Sequence, residues 1–136
     1  PLLVLLIYID RQIKFKDMKT LEVQKTPKTP YVILTDCSLT VSGRSYPENA
    51  VGFYKPFMDF LNEFDSFEDF SVDFVMEYIN TSSSKSLLYI LKNIADKTRN
   101  EVVLNWYIDK DDDGMDDLAE HFTLFLNNIK VVKINK

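Results

Sequence analysis

The segment FSVDFVMEYINTSSSKSLLYILKNIADK, residues 70–97, holds two periodicities in one continuous stretch. Phe70, Val72, Phe74, Met76 and Tyr78 alternate with Ser71, Asp73, Val75, Glu77 and Ile79, the period of two that gives a strand one apolar face. Beyond Asn80 the spacing changes. Leu87, Leu88, Ile90, Leu91 and Ile94 recur three and four apart, the stripe of an amphipathic helix. Strand, polar turn and helix in that order form the repeating unit of an α/β fold.

Further along, Glu101 to Ile108 forms a second β-branched and aromatic run. Met115, Leu118, Ala119, Phe122, Phe125, Leu126 and Ile129 predict a final helix, and the tail VVKI adds a short strand. Upstream, LEVQ, the breakers TPKTP and YVILTDCSLTV read as two or three strands, the last ended by Gly43. Ser45-Tyr46-Pro47-Glu48 matches a capping box, which predicts a helix from near Tyr46 with Phe53, Phe57, Phe60, Leu61 and Phe64 on its buried stripe. Pro56 within that stripe predicts a kink or restart between Gly52 and Pro56. Strands alternating with helices imply at least partly parallel pairing. The expectation is one α/β domain over residues 18–136, with a small mixed sheet of about four to six strands covered by amphipathic helices.

Composition limits the function classes. With 136 residues, 46% apolar and 27% charged, the chain suits one hydrophobic core. A net charge of -5 without a cluster of Lys and Arg argues against nucleic acid, whose phosphates call for basic residues. The apolar run from Pro1 to Ile9 falls short of the roughly 20 residues a membrane span requires, and it lacks the flanks of a secretory signal. Met18 opens an ordinary-looking start, so residues 1–17 are read as upstream or added sequence, or as an edge strand if they fold. Cys37 is the sole cysteine, which excludes an internal disulfide and fits a cytoplasmic protein; its apolar surroundings predict a buried, inert thiol.

The turn Asn80-Thr81-Ser82-Ser83-Ser84 carries the functional signal. Hydroxyls stand there at the opening of a helix, where the first amides lack intrahelical partners and the dipole is positive. A phosphate on Thr81 adds about -1.5 to -2 charges at a place that favours an anion, so the fold tolerates it and partners register it. The plainer reading makes Asn80 or Thr81 a simple N-cap.

Three blocks then stand out: GRSYPEN at 43–49, YINTSSSKSLLYIL at 78–91 and VVLNWYIDKDDDGMDDLAEHF at 102–122. As a set, over about Thr35 to Phe125, they resemble the SiaC family of bacterial regulatory phosphoproteins; Pro56 and the Phe-rich stretch after it depart from that pattern. The resemblance implies a STAS-like fold, that of anti-sigma-factor antagonists, and a non-catalytic chain whose regulatory threonine is Thr81. It also implies three partners: a Ser/Thr kinase with a histidine-kinase-like ATPase fold, a type 2C-like phosphatase, and an effector such as a diguanylate cyclase that binds the unphosphorylated form. ATP and Mg2+ belong to the kinase, so the chain itself needs no cofactor. Asn80, Ser82 and Ser83 are expected to shape the turn, with Tyr46, Pro47, Glu48 and Asn49 bordering the same docking surface.

A rival signal lies at 109–120. Asp109, Asp111, Asp113, Gly114 and Glu120 satisfy the spacing D-x-D-x-D-G-x5-E of a calcium-binding loop and suggest a Ca2+-responsive module. A strand-like run precedes Asp109 where such a loop needs a helix, so a solvated acidic turn is the preferred reading. His121 has no nucleophile at catalytic spacing and reads as a helix-surface residue, while Trp106, Tyr107 and the phenylalanines read as core. No nucleophile elbow or Gly-rich phosphate loop is present in the sequence.

Overall fold

The computed structural model describes residues 2–6 and 19–136. The elements run β1 (Thr20–Val23), β2 (Tyr31–Thr35), β3 (Ser38–Ser45), α1 (Ala50–Asn62), β4 (Ser71–Ile79), α2 (Thr81–Lys97), β5 (Val102–Ile108), α3 (Asp113–Phe125) and β6 (Ile129–Asn135). The six strands form one sheet in sequence order, with β1, β2 and β3 antiparallel and β3 through β6 parallel. Leu2 to Leu6 are helical and exposed rather than an edge strand. The expected start at Met18 lies outside the described residues.

The helices α1, α2 and α3 cover one face of the sheet. Val32, Leu34, Leu39, Val41, Val72, Phe74, Met76, Leu104 and Trp106 are buried on it, while their strand neighbours Ile33, Thr40, Asp73 and Asn105 are only half-buried. This explains why β4 alternates although it pairs in parallel on both sides: a parallel strand reads as continuously apolar only where both faces are covered. On the open face Asn105 Nδ2 donates to Asp73 Oδ1 at 3.1 Å, a polar pair across β4 and β5. In the core, Trp106 meets Phe74 and Phe122 edge-on, with centroids 5.0 and 4.9 Å away.

Several local expectations are corrected. Ser45 does not cap a helix: it ends β3, and α1 begins at Ala50, capped by Asn49, whose side chain accepts from the Gly52 amide. The helix runs unbroken through Pro56, because Tyr54, Phe57 and Leu61 pin both halves to the sheet and offset one missing backbone hydrogen bond. β3 continues past Gly43, which adopts φ 105° at a register shift. Cys37 is exposed, since Asp36 and Cys37 make the turn between β2 and β3 instead of continuing a strand. The last helix stops at Phe125, itself 51% exposed, and Ile129 belongs to β6.

Candidate functional site

The site lies where β3 and β4 end and α2 begins. Gly43 pairs with Met76, but Arg44 pairs with Tyr78, so Glu77 is an extra residue in β4. The bulge inverts the alternation: Tyr78 faces outward, 47% exposed, and Ile79 turns into the core. The next residue is then held from three directions. The Asn80 amide donates to the Ser45 carbonyl at 2.9 Å, its side-chain oxygen accepts from the Ser83 amide at 2.9 Å, and its carbonyl accepts from the Ser84 amide at 2.9 Å. Asn80 is therefore the N-cap of α2, as the plainer reading has it.

Thr81 follows as the first residue of α2 and is exposed, as is Ser82, whose hydroxyl donates to Asn80 Oδ1 at 3.3 Å. Ser83 differs from both, being fully buried. Its oxygen accepts from Ser45 Oγ at 2.8 Å, and Ser45 Oγ lies 2.7 Å from the Tyr54 hydroxyl. With the Ser45 proton committed to Ser83, Tyr54 donates to Ser45, giving a closed chain from α1 through β3 to α2. Of the four consecutive hydroxyls, Thr81 and Ser82 are the exposed ones.

Burial pushes the Tyr54 phenol up to about 12, against a smaller opposite pull from its hydrogen bonds to Ser45 and Ser83. An acid whose folded value is raised favours the neutral form, so the stability it contributes is fully present below pH 10, its ordinary value, and is lost as pH rises through about 12. Urea melts at pH 9 and pH 11 are expected to show that fall for the native chain and a smaller one for Tyr54→Phe.

The other expected docking residues gather at the same end of the sheet. The Tyr46 ring stands edge-on to Tyr78, with centroids 5.8 Å apart. Pro47 is half-buried, Glu48 is exposed and lies 3.9 Å from Lys28, and Asn49 is taken up in capping α1. Sequence reasoning misses Tyr54, and it misreads Ser45 as a cap. Their hydroxyls lie nine and 38 residues from their partners, beyond any local pattern.

At the acidic turn, Asp112 caps α3 by accepting from the Met115 amide, and a strand rather than a helix precedes it. Asp116 and Glu120 both pair with Lys133. Among the described residues, no three His, Cys, Asp or Glu side chains gather to hold a metal. Calorimetric titration with CaCl2 is expected to give no binding below millimolar concentration.

The family pattern for SiaC family regulatory phosphoproteins matches residues 23–135. An uncharacterised protein of Pseudomonas aeruginosa strain UCBPP-PA14 is 31% identical over 112 residues, covering 77% of this chain and 88% of that one. Among solved structures, SiaC of Pseudomonas aeruginosa superposes with a TM-score of 0.74 at 25% identity, covering 88% of this chain and all of that one. SiaC in complex with the diguanylate cyclase SiaD, of which it is the activator, superposes equally well, covering 85% and 99% of the two chains. No helix among the described residues is long and apolar enough to cross a membrane.

Proposed function

The chain belongs to the SiaC family of regulatory phosphoproteins, and from that premise we propose that it is a cytoplasmic partner-switching protein whose switch is Thr81. Its part is regulatory, not catalytic. A Ser/Thr kinase transfers the γ-phosphoryl group of ATP to Thr81 Oγ1, which gives up its proton, and ADP leaves. A type 2C-like phosphatase returns the hydroxyl by hydrolysis. The unphosphorylated form binds and stimulates an effector, taken to be a diguanylate cyclase by analogy with the complex of SiaC and SiaD.

The observation that carries this reading is the contrast within one turn. Thr81 is exposed at the first position of a long helix, where free amides and the helix dipole favour an anion, while Ser83 is sealed in the core. The fold therefore accepts charge at Thr81 without rearranging, and the change falls on whatever docks there. Incubation with ATP and a purified Ser/Thr kinase from the same organism, followed by phosphosite mapping by mass spectrometry, tests it. Phosphate on Thr81 is expected, and phosphate confined to another residue would refute the assignment.

A further inference from the structure

A groove of about 710 Å³ runs between α1 and α2, and its apolar walls include Tyr54, Met58 and Tyr89. Tyr89 is 68% exposed, unusually open for so large a ring. Three charged side chains line the groove, and one is already engaged: Lys55 pairs with Asp59 at 2.8 Å. The other two, Lys92 and Asp96, are exposed one helical turn apart on α2, and neither has an ion-pair partner among the described residues. Their order explains why they leave each other alone, since a cation four residues ahead of a carboxylate is the poorer arrangement on a helix. Beside them, Asn93 Oδ1 is buried in the groove wall without a hydrogen-bond partner.

A lining that carries one unpaired charge of each sign complements itself better than it complements an acidic or a basic partner. We infer that a second copy of this chain closes the groove, with the two α2 helices antiparallel about a two-fold axis that passes between Lys92 and Asp96. A two-fold contact is reciprocal, so whatever one residue meets, its counterpart meets in return. Lys92 of each copy therefore pairs with Asp96 of the other, and two ion pairs form across the axis. Tyr89 of each copy lies over the groove of the other and covers its half-buried Met58. The Lys92 ammonium also comes within reach of the unpartnered Asn93 oxygen of the second copy. Thr81 stands about three turns before Lys92 on the same helix, so the contact leaves the proposed switch uncovered.

Sedimentation velocity over a concentration series tests the inference on the unmodified chain alone, with no kinase or effector present. The native chain is expected to be largely dimeric at about 1 mM and monomeric at about 1 μM, as a modest interface allows, and to dissociate further as salt rises. Lys92→Asp sets carboxylate against carboxylate at both contacts, and Asp96→Lys sets amine against amine. Each variant alone is expected to dimerise at least about tenfold more weakly than the native chain. Mixed in equal amounts, the two variants become complementary at both contacts and are expected to pair with about native affinity. Both substituted side chains are exposed, so circular dichroism is expected to show native folding throughout. A native chain that stays monomeric at about 1 mM, single variants that dimerise as tightly as the native chain, or a mixture that pairs no better than its components would each overturn the inference. All three outcomes leave the assignment of Thr81 untouched.

Discussion

Thr81→Ala is expected to abolish phosphate uptake from the kinase while shifting the melting temperature by no more than about 2 °C, because an exposed side chain away from a cap or core contributes little to stability. The cap of α2 is supplied by Asn80, whose contacts the substitution leaves alone. Thr81→Glu places a charge near the helix opening and is expected to fold normally but to weaken effector binding on the order of a hundredfold, equivalent to about 3 kcal/mol at about 1.4 kcal/mol per tenfold. Mass spectrometry of the kinase-treated Thr81→Ala chain checks the first expectation. Phosphate appearing on Ser82 or Ser84 in proportion to native uptake would move the switch off Thr81.

Two residues further on, the opposite outcome is expected. Ser83→Asp inserts a carboxylate into a fully buried site already filled by the hydroxyls of Ser45 and Tyr54, neither of which can pair its charge. Burying an unpaired charge costs several kcal/mol, so a loss of about 3 kcal/mol or more and a melting temperature lower by about 10 °C are expected. Ser83→Ala keeps the space uncharged and is expected to lose only about 1 to 2 kcal/mol, from the hydrogen bond with Ser45. Thermal denaturation of the three proteins separates these outcomes. A native-like melt for Ser83→Asp would mean that the hydroxyl cluster is open to water.

The order of elements can be read from sequence because β4 and α2 differ in period and only one sheet face is covered, so burial leaves its imprint on alternate residues. The polar turn between them is legible for the same reason. What escapes reading depends on residues far apart in the chain. Ser45-Tyr46-Pro47-Glu48 satisfies a local capping rule, yet the demand of Tyr54 and Ser83 for a buried hydroxyl keeps Ser45 in the strand and leaves capping to Asn49. Pro56 obeys a local rule as well, and tertiary packing overrides it. Cys37 lies in an apolar run, but a run interrupted by a two-residue turn exposes what it carries. Within the site, the turn and its threonine are visible in the sequence, whereas the hydroxyl chain beneath and the groove beside α2 arise only when α1 packs on α2.

The supernumerary residue in β4 has a consequence for the proposed switch. Strand side chains point alternately to opposite sides, so everything downstream of Glu77 is set half a period out of phase with the strand before it. Drawing Glu77 into regular pairing, instead of letting it bulge, would turn Tyr78 inward, swing Ile79 into water, and deliver the asparagine and threonine that follow with their orientations exchanged. The outward aim of the Thr81 hydroxyl is thus fixed before the helix starts, by a miscount of one in the strand that leads to it.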